Sequence, residues 1–153
     1  MTSLADEGWT PVTAERTDGG YTWRVWCQPD QPDWTYVEAR NEAGRVFSGG
    51  IGGRIEPDEG VRFWVGKDDG FPTFVGVRFP AEFPGIEIET THRVVTVGAD
   101  ETETHFEMRY YAMPLGEDEE LCGVTGGGER KRYTPAPAIG TGETGFYPSK
   151  GDR

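Results

Sequence analysis

The chain has 153 residues, with 15 Lys and Arg against 27 Asp and Glu, a formal net charge of −12 at pH 7 and a sequence pI near 4.5. That length suits one domain with a core of its own, and the acidity argues against nucleic acid or an anionic membrane as partner, since both recruit basic patches. Glycine at 23 residues, roughly twice the usual share, and 11 prolines rule out long helices, while 12% aromatics including five Trp set the chain apart from a disordered acidic one.

Residues 1–18 read as a lead-in. Met1-Thr2-Ser3-Leu4-Ala5-Asp6 has neither the basic start nor the apolar run of a secretory signal, so the expected location is cytoplasmic unless a particle or secretion machine exports the protein. A domain of antiparallel strands is expected over 19–133, because alternation with period 2 dominates and a helical period is never sustained for three turns. In Tyr21 to Gln28, the residues Tyr21, Trp23, Val25 and Cys27 share one face and form the predicted core side, with Trp26 on the other. Trp34–Arg40 and Arg45–Ser48 form a hairpin around Asn41-Glu42-Ala43-Gly44. Val61–Val65 and Thr73–Phe79 form the next around Lys67-Asp68-Asp69-Gly70, with Val61, Phe63 and Val65 on one face and Val75, Val77 and Phe79 on another.

Pro80 and Pro84 remove ladder donors, so Phe79 to Gly85 is predicted to cross between strands or sheets. Alternation resumes at Ile86–Thr90. Arg93–Val97 and Thr102–Met113 are expected to flank a turn at Gly98-Ala99-Asp100-Glu101, and Leu121–Thr125 to pair with Arg130–Tyr133 across Gly126-Gly127-Gly128-Glu129. Strands this short, with turn signals every 8 to 12 residues or so, predict an all-β antiparallel β-sandwich, with a β-barrel as the alternative. Residues 134–153 form a Pro/Gly/Thr tail whose apolar anchor is Phe146-Tyr147. Cys27 and Cys122 are spaced unlike a zinc ligand set and are expected to be thiols in a reducing compartment.

The order from Thr73 to Tyr133 runs strand, Phe79-Pro80-Ala81-Glu82, Ile86-Glu87-Ile88, a glycine turn, Phe106 to Met113, then a Leu121-Cys122-Gly123-Val124-Thr125 hairpin ending Arg132-Tyr133. This resembles the immunoglobulin-like or fibronectin-type-III-like sandwich domains of actinobacterial proteins. The resemblance implies a sandwich and carries no functional residues across. The antibody-type pattern is absent, since Trp34 follows Cys27 too closely and Glu120 stands where a corner tyrosine would precede Cys122.

Chemistry-bearing patterns are sparse. Ser48 lies in Phe47-Ser48-Gly49-Gly50, without a nucleophile elbow. Gly49-Gly50-Ile51-Gly52-Gly53-Arg54 lacks the ending and helix of a phosphate loop and reads as a glycine-rich strand edge or bulge. His92 and His105 face each other if Gly98-Ala99 closes a two-residue hairpin, and Glu103 and Glu107 then share their face as candidates for metal binding or acid–base work. A longer loop sets His92 opposite Arg109 instead, which disfavours both roles. A solvated polar face is the expectation, with no metal and no cofactor. The acidic runs Asp58-Glu59, Asp68-Asp69 and Glu117-Asp118-Glu119-Glu120 read as turn-forming and solubilising.

Aromatics are the larger surplus. With Trp23 and Phe63 in the core, Trp26 and Trp64 point the other way, and Trp34 and Tyr36 lie on a further outward stripe. These four are either covered by the lead-in or tail, or exposed as a binding patch. The function expected is therefore a non-catalytic binding or structural module acting through protein partners or self-association, in a bacterial or phage setting. Phe146-Tyr147 would dock in a neighbouring groove. The alternatives are a carbohydrate-binding sandwich using Trp26, Trp34, Tyr36 and Trp64, with a glycan as ligand, and a small β-barrel enzyme or metal site using His92 and His105.

Overall fold

The computed structural model describes residues 4–28, 31–51, 60–134 and 147–148. The described strands are β1 (Thr10–Pro11), β2 (Arg16–Asp18), β3 (Tyr21–Gln28), β4 (Gln31–Asn41), β5 (Val46–Ile51), β6 (Arg62–Gly66) and β7 (Phe74–Pro80). They continue as β8 (Gly85–Thr90), β9 (Val94–Gly98), β10 (Thr104–His105), β11 (Met108–Pro114), β12 (Leu121–Gly126), β13 (Glu129–Arg132) and β14 (Tyr147–Pro148). All pairings are antiparallel. The first sheet has the order β1-β3-β4-β5 with β2 also on β3, the second β10-β11-β7-β6-β14, and the third β13-β12-β8-β9. None of these sheets closes on itself, so the chain is an all-β sandwich and not a barrel. Among the described residues, no helix is long and apolar enough to cross a membrane.

The sandwich has three layers. One apolar cluster joins Trp23, Val25 and Val37 of the first sheet to Trp64, Phe74 and Ala112 of the second. Another joins Phe63, Val75 and Val77 of the second sheet to Ile86, Ile88 and Val124 of the third. The second sheet is thus central and covered on both faces, and all seven residues of β7 are buried. Each large apolar side chain buried in these clusters contributes about 1.5–3 kcal/mol by leaving water.

With three layers, β7 has no face turned outward. Phe-Val-Gly-Val-Arg-Phe-Pro in β7 alternates two kinds of inward position: Val75, Val77 and Phe79 meet the third sheet, while Phe74 meets the first. Arg78 is fully buried, and its Nη1 donates to Thr35 Oγ1 of β4 at 3.2 Å. A buried cation on a strand reads in sequence as a solvent-facing one.

Most predicted hairpins form where expected. Gly44 closes β4–β5 with φ +84°, and Gly127 and Gly128, at φ +61° and +80°, close β12–β13 as a two-residue turn. The β6–β7 hairpin and the crossing after Phe79, from the central to the third sheet, also form as expected. The hairpin at Gly98-Ala99 does not. Residues Ala99–Glu101 form a 3-10 turn that carries the chain from β9 in the third sheet to β10 in the central one. Arg109 holds this passage, donating to the carbonyls of Ala81, Ala99 and Thr102 at 3.0–3.2 Å. The tight turn lies instead at Phe106-Glu107, with φ of +55° and +65°, a conformation usually supplied by Asn-Gly and therefore unmarked in sequence.

Candidate functional site

The central sheet has two edges, and they are finished differently. On the β11 side, the Leu115 amide donates to the Thr73 carbonyl at 2.8 Å, and the β11–β7 register runs unbroken from Met108 to Pro114. Backbone groups alternate sides along an antiparallel strand, so Ala112 and Pro114 turn theirs away from β7. Trp23 Nε1 donates to the Ala112 carbonyl at 3.0 Å. Arg93 Nη2 donates to the Pro114 carbonyl at 3.4 Å, and Pro114 has no N–H to offer another strand. Side chains rooted in the first and third sheets thus occupy this edge. A groove of about 260 Å³ lies beside it, lined by Arg16, Asp18, Trp23, Arg93, Tyr111 and Met113 among others. Arg16 stacks over the Tyr111 ring at 5.1 Å.

Arg93 is held in place by Glu119. Its Nε and Nη2 donate to the two carboxylate oxygens at 2.8 and 3.2 Å. Glu119 also accepts from Thr90 Oγ1 at 2.6 Å and from the Gly116 amide at 2.7 Å. Burial opposes its ionisation, but the bonds from Arg93, Gly116 and Thr90 outweigh burial and pull the carboxyl down to about 2. The run Glu117 to Glu120 is therefore not merely a solvated turn: its third member is a buried anchor. Nothing in the run distinguishes that residue from its neighbours in sequence.

On the β6 side, the same alternation carried through β7 turns the backbone groups of Val65 outward. There β14 pairs with β6, Tyr147 opposite Val65 and Pro148 opposite Trp64. The proline falls where no ladder N–H is needed, a placement strands tolerate. This edge is finished by two residues from the tail. Tyr147 of the predicted anchor therefore lies on the chain's own central sheet, while Phe146 lies outside the described residues.

The predicted aromatic patch is not assembled as one surface. Trp64 is 1% exposed, lying in the core between the first and central sheets against Gly76. Trp26 is 7% exposed, with the Arg24 guanidinium 5.4 Å from its ring centre. Tyr36 is half-buried and meets Trp9 of the lead-in, the rings tilted by 42° with centroids 4.8 Å apart, and Trp34 alone of the four is exposed, at 41%. The lead-in also covers Glu38 on this face: burial raises its carboxyl, while Arg40 and the Leu4 amide lower it. Trp64 is thus covered by the first sheet and Tyr36 touched by the lead-in, while Trp34 is exposed.

The histidines are not brought together by either register considered in sequence. His92 sits in the β8–β9 turn, with its amide donating to Thr90 Oγ1, whereas His105 pairs with Met108 in the β10–β11 hairpin and contacts Glu103 at 3.0 Å. Glu107 is a turn residue of that hairpin. Among the described residues no group of three or more His, Cys, Asp and Glu is placed to hold a metal. Gly49 to Ile51 belong to β5, with Gly52 to Arg54 and Asp58-Glu59 outside the described residues. Cys27 and Cys122 lie on the first and third sheets and are not joined in a disulfide.

No family model, curated protein or solved structure matches this chain. The functional reading therefore stands on the geometry of the site. Sequence reasoning missed Arg78, Arg93 and Glu119, and also Tyr110, a buried phenol beside Cys27 that burial drives above its ordinary range. Only the alternation of β7 carried a signal: an arginine among Val and Phe on a strand whose two faces are both apolar.

Proposed function

We propose that this protein is a binding or structural module that works through protein–protein contact, by adding an extended strand to the β6 edge of its central sheet. The pairing of β14 with β6 supports this reading, because there two residues near the C-terminus lie along the edge as a strand. In strand addition, main-chain hydrogen bonds supply the affinity and flanking side chains the choice of partner.

The body that presents the edge is, in this reading, an immunoglobulin-like or fibronectin-type-III-like unit. Counting β6 as the first strand and leaving aside the two-residue β10, the first, second and fifth strands share the central sheet. The third, sixth and seventh share the other, with the fourth beside the third. That is the strand order of such sandwiches when the fourth strand joins the second sheet. The first sheet, β1 to β5, is then an added layer over one face.

A peptide of residues 143–153, titrated into the full chain carrying Tyr147→Pro, tests the reading. Saturable shifts of the Trp64 and Val65 amide resonances by about millimolar peptide are expected, the effective concentration a short tether supplies. No shift at β6, or shifts confined to other strands, would overturn it.

A further inference from the structure

We infer that the strand received at β6 is residues 147–148 of a second copy of this chain, exchanged reciprocally, so that the protein self-associates through its tails. The inference rests on the strand-addition reading above and names its partner.

The two edges of the central sheet supply the argument. The β11 edge is closed by Trp23 and Arg93, both rooted in packed sheets, with Arg93 fixed by Glu119. That closure cannot leave without disturbing the body. The β6 edge is closed by Tyr147-Pro148, a strand of two residues. Residues 135–146, which join it to the body, are Pro-Ala-Pro-Ala-Ile-Gly-Thr-Gly-Glu-Thr-Gly-Phe. A connector of that length reaches up to about 40 Å when extended.

So short a strand is a weak closure, since isolated pairings of this size are marginal in water. Reciprocal exchange restores the same pairs: each copy gives up one β14–β6 pairing and receives an identical one, so no hydrogen bond is lost. The remaining cost is bringing two chains together. It is overcome when chain concentration approaches the effective concentration within one molecule, on the order of millimolar for a short connector. A two-fold pair closes both edges at once and leaves none to propagate. Charge does not select this partner, because both copies carry −12. Added salt should therefore strengthen the association.

Sedimentation of the full chain and of its Tyr147→Pro variant, from about 10 μM to about 1 mM, tests the inference. Tyr147→Pro leaves the pair 147–148 without any N–H. The native chain is expected to double its mass toward the upper concentration, and the variant to stay monomeric. In a mixture of isotope-labelled and unlabelled native chains, contacts between Val65 of one copy and Tyr147 of the other are expected. A native chain that is monomeric throughout, an association that Tyr147→Pro leaves unchanged, or contacts only within one chain would each overturn the exchange. Strand addition at β6 would itself survive those results if the peptide of residues 143–153 still bound the Tyr147→Pro chain, and would fall with them if it did not.

Discussion

The two long sides of the central sheet solve the same problem with different materials. On the β11 side, an indole, a guanidinium and a proline occupy the strand's outward backbone groups, and a buried carboxylate locks the guanidinium. On the β6 side, two tail residues do so. Unpaired edges invite other strands, so the difference teaches which edge of the sheet is closed by the body and which by the tail.

The largest expected effect comes from disturbing what lies beneath the open edge. A Cβ on Gly76 of β7 would overlap the Trp64 indole, so Gly76→Val should displace β6 and cost about 3 kcal/mol in denaturant unfolding. The closed edge should yield next. Glu119→Ala leaves Thr90, the Gly116 amide and Arg93 without their shared acceptor, at about 2–3 kcal/mol.

Acid should unlock the closed edge without substitution. The Glu119 carboxyl is held at about 2, below its ordinary value of 4.5. Its ionised form therefore stabilises the fold fully above about pH 4.5, and that contribution is lost as pH falls through 2. With Arg93 half exposed, the term is about 2 kcal/mol. A thermal-unfolding series from pH 5 down to 2 should show this loss in the native chain and a flatter profile in Glu119→Gln.

Smaller again is Trp23→Phe, which keeps most of the ring but removes the bond to the Ala112 carbonyl, at about 1 kcal/mol in the same assay. Smallest is ending the chain at Thr134, expected to cost about 0.5 kcal/mol or less because only two residues of pairing are lost.

The same contrast explains what the sequence disclosed. Alternation and glycine placement disclosed the sandwich, the Phe79 crossing and the hairpins at Gly44, Gly70 and Gly127-Gly128, because those rules act between neighbouring residues. They did not disclose the third layer. Whether Trp64 or Arg78 faces water depends on β1 to β5 folding over them, which is long-range information. The Phe106-Glu107 turn was hidden because its positive φ values sit on residues that seldom adopt them. Of the candidate site, the tail was legible as a Pro/Gly/Thr segment with an aromatic anchor. Its seat on β6 was not, since an edge is defined only once the sheet order is known. Glu119 was concealed by equally acidic neighbours.

Amide hydrogen exchange at Val65, compared between the full chain and a chain ending at Thr134, tests the central claim most directly. The account predicts that truncation speeds Val65 exchange about twofold, in line with the small cost of losing the tail, while the amides of Tyr111 and Met113, which face β7, are unchanged. Equal protection of Val65 with and without the tail would contradict it.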